Sequence, residues 1–152
     1  MMVNLDLKLT CAIARSTHLL GDKWSLLILR DMLLHKKSRF KEFMESKEKI
    51  ATNILTNRIK SLTNADLIVL LDRNSTKKSR QYIATQKGIS TLPIILELYM
   101  FSIKDINESV LNDQQIQIKK QIISNSENFI NSKRIDYMAF KEDLLSKVIE
   151  HK

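Results

Sequence analysis

Four cations lie within eight residues of the stretch DRNSTKKSRQY, residues 72–82: Arg73, Lys77, Lys78 and Arg80. Asn74, Ser75, Thr76 and Ser79 stand among them. Ammonium and guanidinium groups spaced this way can grip phosphate oxygens, the guanidinium with two parallel N–H donors. The apolar run LIVLL comes before and YIAT after, so the cations occupy a tip between two strand-like segments. A merely solvated hairpin loop would carry the same composition, so the rest of the chain has to decide between them.

A second group of side chains suits base edges. Ile54, Leu55, Ile59 and Leu62 make an apolar face at helical spacing, and Thr52, Asn53, Thr56, Asn57, Lys60 and Ser61 fall on the other side. Asn can bridge N6 and N7 of adenine, while Thr can bond either base type or meet the thymine methyl. Lys60 can reach a phosphate. Arg58, on the flank, can do the same or can brace the fold through a carboxylate. Arg39, just ahead of Phe40, is a further phosphate candidate at a helix start, where backbone amides also favour anions. A plain solvated helix face is the alternative for the Thr and Asn set.

The single cysteine, Cys11, can form no intramolecular disulfide and no thiolate metal site alone. Arg15 lies one helical turn on and could stabilise a thiolate if the thiol is exposed; a small buried side chain is the other reading. His18, His35 and His151 have no partner at ligand spacing. No Ser/His/Asp set, paired carboxylates or Gly-rich phosphate loop stands out, so neither an enzyme nor a metal or cofactor site is expected.

Charge separates the chain into unlike parts. Net charge is +8 over 152 residues. Residues 36–87 hold thirteen Lys and Arg against five Asp and Glu, which is already +8, while residues 108–152 hold seven of each. A patch concentrated like this implies a polyanionic partner, nucleic acid first and an acidic membrane surface second. The membrane reading is weak. KKSRFKEF has too short an apolar face, and LLIL and LIVLL are far too short to cross a bilayer. Asp6, Lys8 and Arg15 interrupt the first apolar residues, unlike a secretory signal, and a lone cysteine fits the cytoplasm.

The elements that must position these groups are mostly helical, since two Gly and one Pro leave few turns that depend on them. Residues 10–20 suit a short helix ending at Gly21. Asp22 can cap a buried helix carrying Trp24, Leu27, Ile28 and Met32. Phe40, Phe43 and Met44 mark a short amphipathic helix, followed by the helix of Leu55 and then two strands around the cationic tip. Beyond Lys87 helical spacing returns, with Pro93 kinking or displacing the start of the long helix. In the tail, Ile116, Ile123 and Ile130 recur every seven residues, predicting a helix over 113–132. Asp136 could cap another that carries Tyr137, Phe140, Leu144 and Val148. The fold class is therefore mainly α with a small β-hairpin, the make-up of a winged helix-turn-helix with extra terminal helices.

Residues 11 to about 101 resemble the HxlR-type winged-helix transcriptional regulators. The resemblance rests on CAIARSTHLLGDKWSLLIL, RFKEF, ILTNRIKSL and YIATQKGISTL, with Cys11, Gly21, Lys23, Trp24, Arg39, Phe40, Arg58, Tyr82, Thr85 and Gly88 in order. This chain departs at Ala12 for a usual proline, at Ala51 for a usual helix-capping serine, and at Asp66 for a usual glycine. It also lacks the usual wing prolines and the tryptophan near the end of the long helix. The resemblance implies a winged-helix domain over 1–107 with a helical extension over 108–152. It implies a cytoplasmic homodimer joined through terminal helices that binds double-stranded DNA at a palindromic operator. The DNA contacts would come from Arg39, Thr52, Asn53, Thr56, Asn57, Arg58, Lys60, Lys77, Lys78 and Arg80. In some relatives the cysteine matching Cys11 senses oxidants or electrophiles; an unidentified small-molecule effector is the other signal. The alternative function is a winged-helix protein-interaction module without specific DNA binding.

Overall fold

The structure is a computed structural model and describes residues 10–150. His151 and the N-terminal Asp6 and Lys8 lie outside the described residues. The chain runs through α1 (Ala12–Leu20), α2 (Lys23–His35), α3 (Phe40–Met44) and α4 (Thr52–Asn64) into the hairpin of β1 (Ile68–Leu70) and β2 (Tyr82–Ala84). It continues through α5 (Gln86–Ile89), α6 (Leu92–Ile103), a 3-10 turn at Glu108–Val110, α7 (Asp113–Ser124) and α8 (Ser126–Glu150). This is the expected mostly helical, winged helix-turn-helix class.

Local chemistry accounts for the boundaries. The Asp22 carboxylate accepts the N–H groups of Trp24 and Ser25 at 2.9 and 3.0 Å and so starts α2. The α4 start has no such cap: Ala51 occupies the capping position and makes no side-chain bond. The hydroxyl of Thr52 does not replace it, lying 4.0 Å from the Met44 sulfur. Asp66 takes the left-handed backbone, φ 61°, at the point where α4 gives way to β1. Pro93 falls in the first turn of α6, where its missing N–H costs nothing, so it sets where that helix begins.

The core gathers around α2. Leu29, Met32 and Leu33 meet Phe43 from α3, Leu55, Ile59 and Leu62 from α4, and Ile89, Leu92 and Ile95 from α5 and α6. The apolar face read on α4 is thus the buried one. Trp24 only flanks this core, half-buried, with the Lys23 ammonium 4.6 Å over its ring. At the end of β2, Thr85 caps α5 by accepting the Gly88 N–H at 3.1 Å, and its hydroxyl donates to the Asp66 carbonyl at 2.6 Å. Gly88 must lack a side chain, because a Cβ there would run into the Leu67 carbonyl. The Thr-x-x-Gly spacing is therefore a clasp between β1 and α5.

The tail departs from the expected boundaries. The helix expected over 113–132 breaks at Asn125, whose backbone is extended (φ −161°, ψ 91°) and whose side chain accepts the Asn128 N–H at 3.0 Å. Asn125 therefore caps α8. Asp136 caps nothing, because it is exposed in the middle of α8, a helix of 25 residues. Heptad spacing could not see the break, since Asn at a cap overrides continuity, and it is Ile122 rather than the heptad's Ile123 that α7 buries. Tyr137 and Leu144 are buried, and Tyr137 joins the main core. The extension thus packs on its own chain.

Candidate nucleic-acid interface

Helix α4 turns its polar side outward. Thr52, Asn53, Thr56, Asn57 and Lys60 are all exposed, while Leu55 and Ile59 between them are buried. Eight residues of helix place Thr52 and Lys60 about 12 Å apart along one side. Thr56 spends its hydroxyl proton on the Thr52 carbonyl at 2.9 Å and keeps its oxygen as an acceptor. Among the described residues the side chains of Asn53, Asn57 and Lys60 have no hydrogen-bond or ion-pair partner.

Arg58 is different. Its guanidinium is partly covered and lies 3.6 Å from the Asp22 carboxylate, which also caps α2. Of the two roles open to it, the bracing one is formed: it ties α4 to the start of α2.

Arg39 heads α3 and is exposed, with a guanidinium N–H to the Ser79 carbonyl at 3.4 Å. The helix start beside it is not free to take an anion. α3 is five residues long, and the Glu42 carboxylate already sits there, accepting the N–H groups of Ser38 and Arg39 at 3.3 and 3.0 Å. The expected help from helix amides is therefore withdrawn, since a second anion would meet a carboxylate.

The hairpin pairs Ile68 with Ala84, Val69 with Ile83 and Leu70 with Tyr82. The strands are shorter than the runs LIVLL and YIAT, three residues each. Pairing continues one step, with the Leu71 N–H on the Gln81 carbonyl at 2.8 Å, before the loop turns on itself. Asp72 organises the first turn, accepting the Asn74 N–H at 2.9 Å, and Thr76 and Ser79 close the second with hydroxyls 3.0 Å apart. Asn, Ser and Thr thus do the work that wing prolines would do. Arg73, Lys77 and Lys78 are exposed. Arg80 is half-buried, and its Nε is out of reach of solvent with no acceptor among the described residues.

Between α4 and the hairpin runs a groove of about 620 Å³. Lys60, Lys77 and Arg80 line it with Thr56, and Thr63 and Asn64 extend the α4 wall by one turn. Those two residues escaped the sequence reading, although they follow Lys60 at i+3 and i+4. The groove brings together cations from two elements that are seventeen or more positions apart in sequence. Such an arrangement can hold an extended phosphate chain while the outer residues of α4 meet base edges.

Residues 19–110, more than half of the chain, match the model of the HxlR-like helix-turn-helix family. The chain belongs to that family. Among solved structures, it is similar to PA1607, a candidate transcription factor, at 28% identity and a TM-score of 0.59, over 69% of this chain and 72% of that one. It is also similar to the transcriptional regulator YodB from B. subtilis in its reduced form, at 27% identity and a TM-score of 0.50, over 60% of this chain and 90% of that one. The comparison with curated proteins finds no match. HxlR-like membership places the chain among DNA-binding transcriptional regulators, which are not enzymes.

Cys11 stands at the capping position of α1, exposed, and its side chain makes no capping bond. The Arg15 N–H bonds the Cys11 carbonyl at 3.0 Å, but no bond joins the guanidinium to the thiol. Among the described residues no cluster of His, Cys, Asp or Glu could hold a metal ion, and no helix is long and apolar enough to cross a membrane.

Proposed function

We propose that this HxlR-like chain acts in the cytoplasm as a homodimer on a palindromic operator, with α4 in the major groove and the hairpin tip on an adjacent groove. Thr52, Asn53, Thr56 and Asn57 meet base edges. Lys60, Lys77, Lys78 and Arg80 meet phosphates, with Arg39 beside the wing. Arg58 acts at one remove by holding α4 against α2. The observation that carries the reading is the groove between α4 and the hairpin, where Lys60, Lys77 and Arg80 converge and the Arg80 Nε has no protein acceptor.

An apolar face on α1 and α6 supports the dimer. Ile13 is 76% exposed and Phe101 78%, and Ile94 and Leu98 border an open groove of about 420 Å³ with Leu20 and Leu26. A contiguous exposed apolar face of this kind marks a surface that another molecule covers. Residues 1–107 form the DNA-binding domain in this reading, and 108–152 its extension. Cys11 begins the same α1 and is exposed, as a sensing thiol must be. In the oxidised form two Cys11 thiols, one from each subunit, lose two protons and two electrons to hydrogen peroxide: the S–S bond forms, the O–O bond breaks, and two waters leave. An unidentified small-molecule effector is the second signal for this regulator.

The test is binding of the purified chain to a duplex from the region upstream of its own gene, beside a scrambled duplex, over a salt series. Preference for the native duplex that survives rising salt is the expected result. Equal binding to both with a steep salt slope would leave only a phosphate-binding surface. No binding at low salt would favour a protein-interaction module. Peroxide treatment beside Cys11→Ser tests the sensor: only the wild type should change its affinity.

A further inference from the structure

Helix α8 lies beyond the span matched by the family, residues 19–110, yet it completes the wing. The reason is the register. Leu67 with Thr85, Val69 with Ile83, and Leu71 with Gln81 turn their polar groups toward each other across the hairpin. The residues between them, Tyr82 and Ala84, must then turn theirs to the open edge of β2. Ala84 is wholly buried, so water cannot satisfy it.

Partners come from elsewhere in the chain. The Tyr82 N–H donates to the Ser38 carbonyl at 2.8 Å, ahead of α3. Both groups of Ala84 go to α8. Its N–H donates to the Tyr137 hydroxyl oxygen at 2.8 Å, and its carbonyl accepts from the Lys141 ammonium at 2.8 Å. Tyr137 and Lys141 stand one helical turn apart on one face. Further along α8, Leu144 and Val148 border a groove with Leu71 and Ser79, so the helix follows the hairpin from its base toward its tip.

We propose that Tyr137 and Lys141 are positioning residues for DNA binding: beyond the Arg39–Gln81 bridge, α8 takes the place of a third strand on the edge of β2 at Ala84 and sets where the hairpin carries Lys77, Lys78 and Arg80. The proposal rests on the reading of those cations as phosphate contacts. It makes the C-terminal extension part of the DNA-binding machinery of this chain, although the extension carries no net charge.

The experiment uses the full chain with Tyr137→Phe, Lys141→Met and Lys141→Arg, each alone and combined with the wing pair Lys77→Ala and Lys78→Ala. Binding to the upstream duplex is measured over a salt series, with amide exchange at Ala84 and thermal unfolding followed in parallel. Lys141→Met keeps the apolar stem, so it remains informative if Tyr137→Phe folds poorly. Tyr137→Phe and Lys141→Met are expected to speed exchange at Ala84, to weaken binding about tenfold, and to lower the salt slope by about 1–2. In the wing-pair background each should weaken binding far less than it does alone, because only Arg80 remains of the contacts they position. Lys141→Arg, which keeps a donor, should restore most of the affinity. Unchanged affinity and slope in both single variants would overturn the proposal, as would losses that simply add to those of the wing pair. A wild type that binds no duplex would overturn the DNA reading itself and the positioning role with it. That result is distinct, because it appears before any substitution.

Discussion

The base and the tip of the wing are built by opposite means. At the base, outward polar groups of β2 are held by other elements: the Tyr82 N–H by Ser38, and both groups of Ala84 by Tyr137 and Lys141. Ala84 and Ile83 are buried. At the tip, the loop bonds mainly to itself through Asp72, Thr76 and Ser79, and Arg73, Lys77 and Lys78 are left exposed. A surface meant to bind must keep its donors unspent, while its support must leave none unspent. The same contrast divides α4, where Leu55 and Ile59 are buried and Asn53 and Asn57 are free among the described residues.

Breaking the base should cost the most. Tyr137→Ala removes a core ring and strands the Ala84 N–H, so unfolding should become easier by about 3–5 kcal/mol. Denaturant titration checks this; a change below about 1 kcal/mol would mean that α8 is not holding the hairpin.

On α4 the contrast predicts function lost at constant stability. Asn57→Ala should reduce discrimination between native and scrambled duplex by about 1–3 kcal/mol. Its unfolding midpoint should stay where it was. A fall in stability without loss of discrimination would make Asn57 a structural residue.

At the tip, replacing Lys77 and Lys78 together by Ala should move stability by no more than about 0.5 kcal/mol. The salt slope of DNA binding should drop by about 2. An unchanged slope would remove the tip from the interface.

The start of α4 offers a gain of roughly 1 kcal/mol. Ala51 has the extended backbone of a capping residue but no side chain that can accept, so Ala51→Ser should stabilise the fold. Loss of stability there would show that the exposed Ala51 is needed for another reason.

The smallest effect expected is on acid stability, at an ion pair that joins α2 to the loop ahead of α4. The Arg30 guanidinium grips Glu48 with two bonds of 2.7 and 3.0 Å and holds its carboxyl down to about 2 from an ordinary 4.5. The unfolded chain therefore takes up this proton first as the pH falls. The contribution is complete above 4.5 and is lost toward 2. Glu48→Gln should flatten that part of the pH profile; an identical profile would show that the pair adds nothing in solution.

Much of this was legible in the residues. Periodicity located the buried side of α4, because burial and helical spacing are coupled within a few turns. The cationic tip was legible because solvated charge needs no distant partner to explain it. Asp66 announced a left-handed turn by standing where glycine is usual. The break at Asn125 was less visible, although SNS is a turn-forming triplet, since the isoleucine heptad runs straight across it.

What the sequence by itself determined is the fold class, the basic span of residues 36–87 and the polar face of α4, all of which follow from local spacing and local charge. Only the tertiary structure decided that Arg58 meets Asp22, that Arg80 leans into a groove with Lys60, and that Tyr137 and Lys141 close the edge of β2. Those pairings join residues as far as 57 positions apart. Spacing along the chain carries no trace of such contacts, because they arise when a buried backbone group has to find a partner and the fold supplies whichever side chain lies within reach.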